Sequence, residues 1–194
     1  MSSALPDYVT HYYVAGRPPF LSVSELTDPE WEAIRRELDA ERFAGRSSRV
    51  FGRRYLELRR ATEAKLRDQF IAAGGEPERT SPHYFVLGSS AWFRGLAHEM
   101  HEVVIPLALL PDAATSMTIP DSMTSMGLGG DFGLPVENRP HHGRVFRLSQ
   151  IREAVGEFGL PEGEPGNYAG YQHRSFEVYA EVQVWSDVIL NHRV

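Results

Sequence analysis

Short segments rich in β-branched and aromatic residues recur along the chain, and each of them predicts a β-strand. The first is Tyr8–Val14, which is followed by turn residues at 16–19. From residue 82 onward the spacing of apolar residues again matches that of strands. The strands predicted in this part are 83–87, 102–110, 115–119 and 144–148. Pro106 has no N–H to donate, which predicts an edge strand or a bend at that position.

Helical spacing of apolar residues separates the first strand from the second. Asp28 can cap a helix, Pro29 suits its first position and Gly45 can end it. A longer helix is predicted over 48–73, because apolar residues recur on one stripe up to a pair of glycines. A third, short helix is predicted after Ser149, which can cap it.

The segment 176–185 shows the strictest alternation in the chain and predicts the last strand. One face carries apolar residues for the core: Phe176, Val178, Ala180, Val182 and Val184. The other face carries Glu177, Tyr179, Glu181, Gln183 and Trp185. The simplest interpretation of this second face is the solvated side of an antiparallel sheet. Its two large aromatic residues favour a covered face instead, in which Glu181 would belong to a ligand site.

Composition indicates one folded domain over residues 1–194. The chain has 194 residues, of which 42% are hydrophobic and 11% aromatic, enough to build a core. We expect an α+β fold with a central, strongly bent antiparallel or mixed sheet of about six strands. The predicted helices would pack against this sheet, and the glycine- and proline-rich loop 120–143 would lie near the mouth of a cleft.

Several classes of protein are excluded or disfavoured. The chain contains no cysteine, which excludes disulfides, a thiol nucleophile and a cysteine-ligated zinc site. It contains no P-loop, no Rossmann glycine motif and no Gly-x-Ser-x-Gly turn. The first residues do not resemble a signal peptide, and the longest apolar run, 103–110, is too short to span a bilayer. We therefore expect a cytoplasmic protein.

Charge is distributed unevenly along the chain. The net charge is −6, but the segment 42–67 contains nine basic and two acidic residues and so carries +7, which leaves −13 for the remainder. This asymmetry indicates a surface for an anion, such as a phosphate-bearing cofactor or a nucleic acid. A solvated, arginine-rich helix explains the same composition equally well.

Histidines and carboxylates in the second half of the chain form a competing set of candidates, for a zinc or iron site. They are His98, His101, Glu102, Asp121, His141 and His142. The spacing is not that of the His-Glu-x-x-His zinc motif, so loop histidines on the surface are the simpler interpretation.

Several segments resemble, in the same order, the DarT-type DNA-modifying ADP-ribosyltransferase toxins. The matching segments are Thr10-His11 at the first strand, Arg59 or Arg60 after it, the aromatic strand at 82–85, the turn from Thr118 to Asp121, and Ala180-Glu181 with the alternating residues that follow. Tyr179 stands where the family usually has glutamine, and the asparagine that follows the family's first histidine is not evident here.

This resemblance implies an ADP-ribosyltransferase-like fold and transfer of ADP-ribose from NAD to an acceptor, such as a nucleobase of DNA or RNA. It also implies Glu181 as the catalytic carboxylate and His11 as a contact to the NAD ribose or nicotinamide. Arg59 or Arg60 would bind the diphosphate. Thr10 would also contact NAD, and an antitoxin or immunity protein can be a partner of such a toxin.

The chemistry of the residues agrees with that reaction. Cleavage of the bond between nicotinamide and ribose develops positive charge on the sugar, which a carboxylate stabilises. The diphosphate requires guanidinium or backbone donors. An aromatic wall for nicotinamide could come from Tyr12, Tyr13, Tyr55 or Tyr84. For His11 taken alone, a hydrogen-bonded structural histidine is the simpler interpretation.

Two other functions remain open at this point. The chain could be a non-enzymatic module that binds nucleic acid or a protein partner through the basic segment 42–67. It could also be a metal hydrolase that uses the histidines named above.

Overall fold

The computed structural model of the protein describes residues 5–128, 139–161 and 177–192. Within these residues, six strands form one sheet in the order β3, β1, β2, β6, β4, β5, and all neighbouring strands are antiparallel. The strands are β1 Tyr8–Val14, β2 His83–Leu87, β3 Met100–Pro106, β4 Thr115–Thr118, β5 Phe146–Arg147 and β6 Glu181–Val184. The predicted α+β class is therefore confirmed, together with a six-stranded antiparallel sheet.

The first and third strands occupy one edge of this sheet. β1 has the bounds predicted from the sequence, and it pairs with β3 from Tyr8 opposite Pro106 to Val14 opposite Met100. The prediction of an edge strand at Pro106 is confirmed. The predicted range 102–110 was wrong, because the chain leaves the strand after Pro106 and turns into a short 3-10 helix, Leu107–Leu109.

Five α-helices accompany the sheet in the described residues. They are α1 Asp28–Phe43, α2 Tyr55–Ala72, α3 Ala91–Arg94, α4 Ser122–Ser125 and α5 Ile151–Phe158. The cap of α1 is Thr27 rather than Asp28, and its backbone N–H donates to the Glu30 carboxylate at 2.7 Å. No helix of the described residues is long and apolar enough to cross a membrane.

The predicted start of the second helix at residue 48 was wrong by almost two turns. α2 begins at Tyr55, and the residues before it are not helical. Ser47 forms an isolated bridge with Ala97, and the Ser48 N–H donates to the Leu96 carbonyl at 2.9 Å. These backbone groups pair with a distant segment, so they are not available to a helix.

Two shorter predictions also change at their ends. α5 begins at Ile151 after a 3-10 turn, Leu148–Gln150, because the Asp112 carboxylate accepts the Ser149 N–H at 2.6 Å. In the predicted loop 120–143, residues 122–125 form α4, and 129–138 lie outside the described residues.

Both faces of the last strand are buried. Ala180, Val182 and Val184 join the main hydrophobic core of the sheet, as predicted. On the opposite face Glu181 is 3% exposed, whereas Gln183 and Trp185 are fully buried. The interpretation of this face as solvated is therefore wrong. The regular strand is also shorter than predicted, since β6 spans Glu181–Val184 and residue 176 lies outside the described residues.

The second face of β6 is covered by α2. Trp185 packs with Leu66, Phe70 and Met126 in a second core cluster, and its ring stacks on that of Phe70 with centroids 6.3 Å apart. This packing turns the polar face of the strand inward and places Glu181 between sheet and helix.

We predict that Leu66→Ala lowers the free energy of unfolding by about 2–5 kcal/mol, because the Leu66 side chain of α2 is fully buried in the cluster that contains Trp185. Ile71→Ala is the matched control on the same helix, since Ile71 is 45% exposed, and should change stability by about 0.5 kcal/mol. Urea denaturation measures both. Equal losses in the two variants would contradict the packing described for α2.

Candidate active-site cleft

A cleft with a volume of about 310 Å³ opens between β1, β2 and β6 of the sheet and the start of α2. Its lining includes six residues proposed from the sequence: Thr10, His11, Tyr13, Arg59, Tyr84 and Glu181. Small-molecule sites span about 300–1,000 Å³, so this cleft lies at the lower end of that range. These six residues therefore lie together in one cleft, although they differ in what they offer a ligand.

Glu181 is held firmly in the wall of the cleft. Its Oε1 accepts hydrogen bonds from Gln183 Nε2 at 3.1 Å and from the Ser122 N–H at 3.3 Å. Its Oε2 accepts the Tyr179 hydroxyl at 3.3 Å. Gln183 is itself fixed, because Ser116 donates to its carbonyl oxygen at 2.8 Å. The carboxylate is thus preorganised in a water-poor site, where electrostatic interactions are stronger than in water.

The guanidinium of Arg59 lies against the Tyr84 ring, with its central carbon 3.6 Å from the ring centroid. It donates to Ser122 Oγ at 3.2 Å, and its Nε lies 3.5 Å from Oε1 of Glu63. Burial opposes the charged form, but Tyr84 and the carboxylates of Glu181 and Glu63 hold the pKa of Arg59 well above its ordinary value. Arg59 therefore presents a permanent positive charge to the cleft.

Glu63 is the residue that sequence reasoning missed in this arrangement. It is 3% exposed and accepts the hydroxyls of Ser24 at 2.6 Å and Tyr84 at 2.8 Å. The spacing of Arg59 and Glu63, four residues apart on a helix, was the available signal, because such residues share one helix face.

Asp121 adds a second carboxylate to the cleft lining. Its Oδ1 accepts the Thr124 N–H at 3.1 Å and caps α4. Burial, reinforced by the charge of Glu181, raises the pKa of Asp121 to about 6. The sequence had singled out Asp121 as part of a turn and as a metal candidate, but not as a neighbour of Glu181.

His11 shapes the wall and has its polar atoms occupied. Its Nδ1–H donates to the Tyr84 carbonyl at 2.8 Å, and its Nε2 accepts the Phe20 N–H at 3.0 Å. Burial lowers its pKa from 6.5 to about 4, so the ring is neutral at pH 7. The bond also holds Phe20, which has a φ of 63°, a rare value for a residue other than glycine. The structure thus agrees with the simpler, structural interpretation of His11.

Thr10 and Tyr13 also support the walls of the cleft. Thr10 is fully buried and its hydroxyl donates to the Gly88 carbonyl at 2.6 Å. Tyr13 is half-buried, with its ring centroid 6.2 Å from that of His11. Further aromatic lining comes from Trp92 and Phe93, which the sequence did not indicate.

Arg60 does not line the cleft, so the choice between Arg59 and Arg60 falls on Arg59. The Arg60 guanidinium donates instead to Asp28 at 2.8 Å and to the carbonyls of Leu26 and Ser24, which tie α2 to the start of α1. Arg49 is a cleft cation that the sequence did not distinguish from its neighbours.

Several of the remaining basic residues of 42–67 are paired or hydrogen-bonded within the protein. Arg46 pairs with Glu41 and Arg54 with Glu57. Lys65 donates to the Met126 carbonyl at 2.9 Å. Because much of this charge is neutralised or engaged within the protein, the structure offers little support for the alternative of a nucleic-acid-binding helix.

The histidines considered for metal binding do not converge. Among the residues described, no group of three or more His, Cys, Asp or Glu side chains could hold a metal ion. Glu102 pairs with Arg94 at 2.7 Å, and His141 packs edge-on against His142 with centroids 5.0 Å apart. This arrangement does not favour the metal hydrolase alternative.

No family model, curated protein or solved structure matches the chain. Inference about function therefore depends on the chemistry of the cleft residues.

We predict that acidification destabilises the protein through His11. Its pKa is about 4 in the folded protein and ordinarily 6.5, so the unfolded chain binds the extra proton in this interval. The contribution of His11 is complete above pH 6.5 and is lost as the pH falls towards 4, by up to about 1.4 kcal/mol per pH unit. Unfolding free energies of wild type and His11→Gln should diverge over this interval, and parallel pH curves would contradict the prediction.

Proposed function

We propose that the protein is an NAD-dependent ADP-ribosyltransferase with an ADP-ribosyltransferase-like fold, and that Glu181 is its catalytic carboxylate. The observation that carries the proposal is the position of Glu181, buried and held by three donors in a cleft that it shares with Arg59 and Tyr84. A buried acid that lines a cleft beside a permanent cation is typical of a functional site.

NAD supplies the bond to be broken, between its nicotinamide nitrogen and C1′ of the ribose. Positive charge moves onto the sugar as this bond breaks, and a fixed carboxylate stabilises that charge. Glu181 is suited to the role because its hydrogen-bond donors already set its orientation. Little reorganisation is then required when the charge develops.

Arginines of the cleft provide the charge for the diphosphate. The charge of Arg59 is faced by Glu63, Glu181 and Asp121, so it neutralises the site rather than adding net positive charge. Arg49 is half-buried in the cleft wall with its guanidinium carbon 4.9 Å from the Phe51 ring centroid. Among the described residues it forms no ion pair. We therefore assign the diphosphate contact to Arg49 as well as Arg59.

Aromatic side chains line the part of the cleft near Glu181. Tyr179 and Phe93 meet edge-on with ring centroids 5.0 Å apart, and Phe93 stacks on Tyr12 at 5.3 Å. Such a wall suits a planar ring, which supports both nicotinamide and a nucleobase acceptor of DNA or RNA. An antitoxin or immunity protein belongs to the proposal as a partner of a toxin of this type.

We predict that Glu181→Gln lowers the kcat for NAD cleavage by about 10²–10⁴-fold, because the amide keeps the shape of the side chain and removes its charge. Nicotinamide release from NAD, measured by chromatography, checks this. Glu157→Gln is the matched control, since Glu157 is exposed on α5, and it should retain wild-type turnover. Circular dichroism confirms that both variants fold. Full activity in Glu181→Gln would refute the assignment.

A second prediction concerns the diphosphate. Arg49→Ala should raise the KM for NAD by roughly 10- to 100-fold, as expected when a charge-assisted hydrogen bond is lost. Arg53→Ala is the control, because Arg53 is exposed and does not line the cleft. Steady-state kinetics measure the KM for NAD of both variants. If Arg49→Ala and Arg53→Ala had equal KM values, Arg49 would be excluded from the NAD site.

A further inference from the structure

Asp121 presents a carboxylate oxygen that the fold does not use. The residue is 5% exposed and lines the cleft that also contains Glu181 and Arg59. Its Oδ1 caps α4 through Thr124, whereas its buried Oδ2 has no hydrogen-bond partner among the described residues. Buried carboxylate oxygens are normally satisfied, so an unpaired one in a cleft indicates a ligand that completes it.

The carboxylates of Glu181 and Asp121 differ in how many of their oxygens accept hydrogen bonds from the protein. Both oxygens of Glu181 accept hydrogen bonds from the protein, which fixes the orientation of the carboxylate. Asp121 uses one oxygen for the cap and retains the other. A proton acceptor requires a lone pair that no other donor occupies. Oδ2 of Asp121 meets this requirement, whereas both oxygens of Glu181 already accept hydrogen bonds.

The proposed reaction requires a base and no acid. Nicotinamide departs with the electron pair of the broken bond and becomes neutral, so it requires no proton. The acceptor, in contrast, must lose a proton when it forms its bond to C1′. A second carboxylate can therefore assist only on the acceptor side.

We propose that Asp121 is the general base of the transfer, an inference that rests on the proposed function. In this step the acceptor's O–H or N–H gives its proton to Asp121 Oδ2, and the freed electron pair forms the bond to C1′. The bond from C1′ to nicotinamide breaks, and its electrons neutralise the pyridinium nitrogen. Asp121 then releases the proton to water. The acceptor is consequently of a class that bears an exchangeable proton, such as water, a hydroxyl or a nucleobase N–H.

The charged and titratable groups around Asp121 agree with this role. Glu181 on β6 reinforces burial in raising its pKa to about 6, whereas Arg59 on α2 and Thr124 on α4 act in the opposite direction. Tyr179, ahead of β6, is the further titratable neighbour, and burial raises its pKa so that it stays neutral. Asp121 is thus ionised at neutral pH and still basic enough to accept a proton. The rate should rise with pH through about 6 and then level off.

Asp121→Asn tests the proposal without removing the cap, because asparagine caps helices as well as aspartate does. With water as the acceptor, NAD hydrolysis should fall by about 10²–10⁴-fold in kcat with little change in KM. The acidic limb of the pH profile should disappear. Asp68→Asn, an exposed position on α2, is the matched control and should keep both the rate and the limb.

Azide separates a base from a residue that only positions the substrate. Azide is an anionic nucleophile with no proton to lose, so Asp121→Asn should form ADP-ribosyl azide at close to the wild-type rate while its hydrolysis remains impaired. Hydrolysis at the wild-type rate in Asp121→Asn, or an equal loss of hydrolysis and azide transfer, would overturn the role of Asp121. Absence of any NAD cleavage by the wild-type protein would instead overturn the proposed function, and this inference with it.

Discussion

The buried guanidinium of Arg59 is the feature on which the rest of the cleft depends. A charge removed from water must be balanced close by, and here Glu63 and Glu181 supply the balance while Tyr84 covers the flat face of the guanidinium. These residues come from α2, β2 and β6, so the electrostatic requirement of one side chain draws three elements together. The carboxylate proposed for catalysis is therefore part of the same charge balance that keeps the helix on the sheet.

Burial of both faces of β6 follows from that arrangement. Trp185 packs under α2 and donates its indole N–H to Ser116 at 2.9 Å, while Gln183 links β4 to β6. Every polar group on this inner face has to find a partner within the protein. The resulting network fixes Glu181 from the sheet side, and Ser122 of α4 fixes it from the other side. The burial of both faces of β6 thus holds the Glu181 side chain in a fixed orientation.

Local patterns in the sequence predicted the strands and the position of Glu181 in a cleft, because alternation and unusual residue types can be recognised within one segment. They failed where distant segments decide the outcome. Residues 48–54 were predicted to be helical and are not, because the Ser48 N–H donates to the Leu96 carbonyl of a distant segment. The spacing of residues could not show which of the adjacent arginines lines the cleft. That depends on tertiary contacts, in which Arg60 binds Asp28 and Arg59 lies in the cleft wall. Nε2 of His11 accepts the Phe20 N–H, and this contact between residues nine apart could not be predicted from the spacing of residue types.

The attachment of Phe20 has a consequence for how the cleft could change its width. Its N–H is bound by His11 of β1, and its carbonyl oxygen lies 3.1 Å from Nδ1 of His83 in β2. This side of the opening is therefore anchored to two neighbouring strands and moves only with the sheet. Val50 and Phe51 also line the cleft, on a segment that belongs to neither a helix nor a strand. A ligand larger than the cleft would displace these two residues more readily than Phe20, because backbone outside helices and strands has fewer hydrogen bonds to lose.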